Sequence, residues 1–152
     1  MSESNKATAR RWFEEVWNQG RKETIHELFA GEGVAHGLGD SEADVVGPAQ
    51  FEIFAGNLRG ALPDLNITVD DILSEGDSLA IRVTLRGKHT GHGLGVEPTG
   101  RKVNIQGIII ARLRNGQLIE AWNSYDQLGL LRQIGALPTP NGDIFLDAPH
   151  IP

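Results

Sequence analysis

The stretch KVNIQGIIIARLRNGQLIEAWNSY, residues 102–125, decides the fold. Asn115-Gly116 at its centre is the preferred pair for a two-residue type I′ turn, because both turn positions need positive φ. The apolar runs on either side therefore read as two antiparallel strands of one hairpin. With those two residues as the loop, Arg114 faces Gln117, and pairing runs outward to Ile110 opposite Ala121, Ile108 opposite Asn123 and Gln106 opposite Tyr125. Strand side chains alternate between faces, so this register collects Gln106, Ile108, Ile110, Ile119, Ala121, Asn123 and Tyr125 on one face. That face is apolar with polar groups converging at one end, the composition of a small-molecule pocket. The other face carries Ile109, Leu113, Leu118, Glu120 and Trp122. It suits the outside of a curved sheet that pairs with a second copy, with Glu120 near the interface and matched to an arginine.

Upstream of the hairpin, Leu65, Ile67 and Val69 alternate with polar residues, and Leu79, Ile81, Val83 and Leu85 do so again after SEGDS, predicting a second hairpin. Before that the period is helical. Ala9, Trp12, Phe13, Val16 and Trp17 share one helix face and Gly20 ends it; Ile25, Leu28 and Phe29 predict a shorter helix ending at Gly31. GVAH then reads as a short strand ending in His36. Pro48 opens a third helix through Phe51, Phe54, Ala55, Leu58 and Leu62, which Pro63 stops. Downstream, Leu128, Leu130, Leu131 and Ile134 predict a short helix beginning at Asp126 and closed by Gly135. Helices first and meandering antiparallel strands afterwards describe an α+β domain, a curved sheet wrapped around N-terminal helices.

A chain of 152 residues with 39% hydrophobic content fits one domain over 1–152, with 138–152 as a Pro-rich C-terminal tail. The net charge of −6 is spread along the chain without a basic cluster, which argues against a nucleic-acid partner. No apolar run approaches the ~20 residues of a membrane span, and MSESNKATARRW lacks the apolar core of a signal peptide. The expectation is a cytoplasmic protein with no membrane partner. The absence of cysteine removes disulfides, thiolate chemistry and sulfur-ligated zinc. His89 and His92 have HxxH spacing, but in a glycine-rich loop with no carboxylate in register they read as surface histidines, not metal ligands. GHGLGVEPTG joins two strands and does not fit GxGxxG, so no nicotinamide cofactor is expected.

Several segments together, WNQG, the segment with His36, LPDLNITVDDILSEGDSLAIRVTLRG, PTGRKV, NGQLIEAW and DQLGLLRQIGALP, resemble the SnoaL-like polyketide cyclase or ester cyclase group of the NTF2-like superfamily. The resemblance implies a cone-shaped α+β barrel with a deep apolar pocket. It also implies a cofactor-independent aldol-type ring closure in which a carboxylate moves a proton. Isomerases, hydrolases and non-catalytic binding proteins share the scaffold, so fold fixes the reaction less firmly than the architecture. Many members carry an acid directly after the last-strand tryptophan, where this chain has Asn123. Asp126, which matches the group's D..G.L.Q.G pattern, is then the nearest carboxylate and the candidate catalytic acid/base. Its alternative is an N-cap accepting a backbone N–H from the helix it precedes. His36, Gln106, Asn123, Trp122 and Tyr125 complete the candidate substrate-binding set around a hydrophobic small molecule, with His36 either a proton carrier or a structural histidine. Trp12, Phe13 and Trp17 are either core or pocket lining. A homo-oligomer, at least a dimer, is expected.

Overall fold

The computed structural model describes residues 2–38 and 43–137; the Pro-rich tail lies outside the described residues. The first helix, α1 (Ser2–Arg11), continues through a π-helical segment, Trp12–Asn18. The apolar spacing is therefore right about the face and incomplete about the winding. In the wider turn Phe13, Val16 and Trp17 are all buried and Trp12 packs beside them. Asn18 then clamps the edge of the sheet, its Oδ1 accepting from Ile67 N (2.7 Å) and its Nδ2 donating to Ile67 O (3.0 Å). Arg59 donates to the carbonyls of Trp17 and Asn18, which satisfies helix-end acceptors.

Helix α2 (Lys22–Leu28) stops short of the expected end at Gly31, because Phe29 already belongs to β1 (Phe29–His36). A two-residue strand, β2 (Val45–Val46), pairs antiparallel with β1 and leads into α3 (Gly47–Ala61), which carries Pro48 in its first turn. Four long strands follow: β3 (Asn66–Glu75), β4 (Ser78–Lys88), β5 (Lys102–Arg114) and β6 (Gln117–Tyr125). Helix α4 (Gln127–Gln133) comes last among the described elements; Ala136 N bonds Leu131 O across Gly135 at φ 84°, a glycine C-terminal stop. The sheet order is β2-β1-β6-β5-β4-β3, antiparallel except for β1 beside β6. This curved, unclosed sheet packs its concave face on the helices, with Phe13, Trp17, Phe29, Phe51, Ile81, Val83, Ile109 and Ala121 in one core. Among the described residues, no helix is long and apolar enough to cross a membrane.

Asn115 and Gly116 both have positive φ (54° and 76°), as the turn requires, and Arg114 pairs with Gln117 and Leu113 with Leu118. Pairing then slips: Arg112 faces Glu120, Ala111 faces Ala121 and Ile109 faces Asn123, leaving Ile119 as an extra residue in β6. A bulge of this kind reverses the parity of one strand against the other beyond it. The expected faces are thereby corrected on β5. Ile109, Ala111 and Leu113 are buried with Ala121, whereas Gln106, Ile108, Ile110 and Arg112 point outward with Glu120 and Trp122.

Candidate functional site

The concave face of the sheet, the π-helical segment and α3 enclose two adjoining cavities. The inner one, about 40 Å³, is walled by Trp12, Phe13, Phe51, Ile109, Ala121 and Asn123 among others. The outer one, about 460 Å³, lies toward α4 and the β4–β5 loop and is walled chiefly by Phe54, Leu58, Leu85, Ile105, Leu130 and Leu131. Trp17, Leu38 and Tyr125 border both. The outer volume is in the range of small-molecule sites, and the inner one has room for about a water or two.

The glycine-rich loop GKHTGHGLG forms one wall. Gly91 and Gly93 press against α3 so closely that a Cβ would lie 1.9 Å from Gly60 O and 2.0 Å from Asn57 O, and this seating brings Gly93 and Leu94 to the outer cavity. His89 anchors the loop from within. It is fully buried, contrary to a surface-loop histidine, and its Nδ1 accepts from Thr99 N (3.3 Å) and lies 3.1 Å from Thr99 Oγ1. Burial lowers its pKa, favouring the neutral ring. His92 is exposed, and among the described residues no three His, Asp or Glu gather as metal ligands.

Tyr125 lies at the junction of the cavities. Its ring lies over Gly107, the cross-strand partner with no side chain, and burial pushes its phenol above the ordinary tyrosine range. The hydroxyl therefore stays a neutral donor across the physiological range. Asn123 walls the inner cavity, and its Nδ2 donates to the carbonyl of His36 at 2.9 Å. A carboxylate there would set an acceptor against an acceptor, which accounts physically for an amide at this position.

The other expected site residues fall elsewhere. Asp126 is exposed, borders neither cavity and accepts from Gly129 N at 2.8 Å, which is the geometry of the capping alternative. Gln106 points outward opposite Thr84. His36 and Trp122 are neighbours on the convex face, rings stacked at 5.5 Å and 25°, with the Arg112 guanidinium 5.3 Å from the Trp122 ring centre. Glu120 and Trp122 lie on the outer face, as the alternation of β6 predicts, and the parallel pairing with β1 sets His36 beside them.

What sequence reading missed is Asp44. The antiparallel pair Ala35–Val45 continues to His36 beside Asp44, whose Oδ1 is 2.9 Å from His36 Nδ1. His36 Nε2 is 2.8 Å from Glu120 Oε2. With both ring nitrogens on carboxylates, Glu120 first and Asp44 second, the pKa of His36 is raised and the imidazolium is favoured. Asp44 also borders the outer cavity. The signal was faint, a two-residue VV strand that pairs back on GVAH.

Comparison with known proteins gives a consistent answer. Residues 7–134 match the family model described as SnoaL-like polyketide cyclase. The chain is 27% identical over 131 residues to aklanonic acid methyl ester cyclase DauD of Streptomyces sp. (strain C5), covering 84% of this chain and 81% of that one. Among solved structures it is similar to a Jannaschia sp. CCS1 protein provisionally assigned as a SnoaL-like polyketide cyclase, with a TM-score of 0.80 and 28% identity over 90% of this chain and 95% of that one. AclR of Streptomyces galilaeus, provisionally assigned as a hydroxylase, has a TM-score of 0.78 and 26% identity over 91% of this chain and 89% of its own. The α+β architecture is the ketosteroid isomerase-like, or NTF2-like, fold.

Proposed function

The chain belongs to the SnoaL-like polyketide cyclase family, and from that premise we propose that it is a cofactor-independent enzyme closing a ring in a hydrophobic, oxygenated small molecule by enolisation and intramolecular aldol addition. The observation that carries this reading is the 460 Å³ apolar cavity with Tyr125 at its inner end. In such a step a base removes a proton from the carbon next to a carbonyl. The enolate carbon attacks a second carbonyl of the same molecule, and the resulting alkoxide takes the proton back. Atoms are conserved, so nothing beyond a proton carrier and a polarising donor is required. Tyr125 is suited to the second role, because a neutral phenol in an apolar wall donates to developing enolate charge at little reorganisation cost. Asn123 acts beneath it by fixing the end of β1.

The substrate class is taken from the similarity to DauD, a cyclase named for aklanonic acid methyl ester. Incubation with aklanonic acid methyl ester, followed by chromatography and mass spectrometry, is expected to give a product of unchanged mass and altered retention. A Tyr125→Phe variant is expected to lose roughly 10²-fold in turnover. Binding with no new product would favour the second reading, a non-catalytic ligand carrier, to which Asn123 in place of an acid is the pointer; a mass gain of one water would point to hydrolysis.

We also propose a homodimer through the convex sheet face. In register across it run Leu73, Ala80, Ile110 and Trp122, and Leu73, Ile108, Ile110 and Trp122 are 65%, 53%, 41% and 38% exposed, an apolar band costly to leave in water.

A further inference from the structure

We propose that Asp44 is the acid/base of the cavity and that His36 and Glu120 are positioning residues acting through it. The inference rests on the reading of the cavity as a site of enolisation. Among the described residues bordering the two cavities, Asp44 is the one carboxylate. Its Oδ1 is held by His36 Nδ1 at 2.9 Å, which leaves Oδ2 to meet a substrate C–H. His36 cannot swing away: Glu120 holds the opposite ring nitrogen at 2.8 Å, and the ring is stacked on Trp122. The charged groups around His36 are Asp44 just before β2, Glu120 on β6, and Arg112 on β5, which lies over Trp122 and opposite Glu120.

Two cations, His36 and Arg112, stand beside the two carboxylates, so the negative charge on Asp44 is compensated at the edge of an apolar cavity. In the step itself, the C–H electron pair becomes the enolate π bond as the proton passes to Asp44 Oδ2. The enolate carbon bonds to the second carbonyl carbon, and Asp44 returns the proton to the alkoxide oxygen. His36 keeps both protons throughout; its role is to aim the carboxylate. Arrangements in which a carboxylate is oriented by a fixed partner are what acid–base catalysis requires.

The test uses 1-tetralone, an aromatic ketone with an enolisable methylene, in deuterated buffer, with exchange followed by proton NMR. The wild-type protein is expected to accelerate deuterium incorporation at that methylene. Asp44→Asn is expected to reduce the acceleration by roughly 10²-fold while the Kd for tetralone stays within about twofold. The positioning residues have a separate signature: His36→Gln removes a cation and moves the acid limb of the pH–rate profile to higher pH, whereas Glu120→Gln removes an anion and moves it lower. Exchange in Asp44→Asn equal to wild type overturns the assignment, and so does wild-type binding without exchange, which leaves the cavity reading intact. Failure of tetralone to bind defeats the cavity reading and the inference with it. Without any ligand, ¹⁵N NMR is expected to show His36 titrating above the ordinary histidine range, and a lower His36 pKa in Asp44→Asn. An unmoved titration there overturns the coupling.

Discussion

Gly107 stands among the buried, inward positions of β5, which are otherwise Val103, Ile105, Ile109, Ala111 and Leu113, and the reason is Tyr125. A Cβ at 107 would lie 2.4 Å from Tyr125 Cδ1, 2.7 Å from Cε1 and 3.0 Å from Cγ. Carbon atoms pack at about 3.5–4.0 Å, so Gly107→Ala requires the ring to retreat by about 1 Å. Retreat has a direction, because Tyr125 borders both cavities and its ring is pressed from the sheet side. Overpacking costs about 1–3 kcal/mol, and replacing a strand glycine returns about 0.5–1 kcal/mol, so the net loss is about 0–2.5 kcal/mol. For a chain of this length that lowers Tm by up to about 10 °C. The functional loss is expected to be larger than the stability loss, since a misplacement of about 1 Å at a reacting centre can cost roughly 10²-fold. Tyr125 is the single tyrosine of the chain, so its ring protons report its position without assignment ambiguity. Gly107→Ala is therefore expected to shift those resonances, narrow the cavity and weaken binding of an aromatic ligand, whereas Tyr125→Phe keeps the ring and removes only the donor. A Gly107→Ala protein with unmoved tyrosine resonances, full affinity and raised stability would refute the reasoning.

Asp126→Asn preserves a side-chain acceptor for Gly129 N and is expected to change stability by less than ~1 kcal/mol with turnover intact, whereas Asp126→Ala loses about 1 kcal/mol by denaturant titration. Glu15 is held at a pKa of about 2, chiefly by Arg11 and then by Thr24. A depressed carboxylate stabilises above its unfolded pKa and loses that contribution as pH falls through its folded one, so Tm is expected to drop between about pH 4.5 and 2. In Glu15→Gln that part of the drop should vanish. His89 has the reverse proton balance: its pKa is lowered in the fold, so the unfolded chain binds its proton first and stability is expected to fall as pH drops below about 6.5. His89→Gln melts should lack that component. Ile110→Lys introduces a charge into the proposed convex interface and is expected to give a monomer by light scattering at micromolar concentration with the cavity unaffected; a dimer that persists counts against that face.

The hairpin, the helix order and the short terminal helix were legible because each rests on local chemistry: positive φ at Asn115-Gly116, a proline at the start of α3, a glycine at the end of α4. The faces of β5 were not legible. The IIIARL run is apolar at adjacent positions, so period alone cannot say which isoleucines face inward, and the answer depends on a single bulged residue, Ile119. Nothing in the side chain of Ile119 announces a bulge. Gly107 was the available clue, since a strand glycine marks a close approach and that glycine must share a face with the residue that fills it. Pairing Gly107 with Tyr125 gives the observed register beyond the bulge. Asp44 was illegible for a different reason: a two-residue strand has too little pattern to pair by sequence, yet it brings that carboxylate beside His36.

His36 connects the inner and outer faces of this sheet. Its backbone carbonyl accepts from Asn123 at 2.9 Å, on the side of the inner cavity, while its side chain is gripped by Glu120 on the convex face and by Asp44 at the sheet edge, where Asp44 borders the outer cavity. Both interactions fix the end of β1, and the first depends on the residue at 123 being a donor. An acid at 123 would need a proton to face the same carbonyl; ionised, it would repel the end of β1 and loosen the strand whose side chain aims Asp44. On this geometry the amide at 123 and the carboxylate at 44 form one arrangement. The amide fixes the strand end from within, which allows the proton-carrying group to be supplied from the neighbouring segment instead of from β6. Asn123→Asp is accordingly expected to add no activity: it should weaken the His36 anchor and reduce exchange on tetralone, and a gain in exchange would show that the two positions act independently.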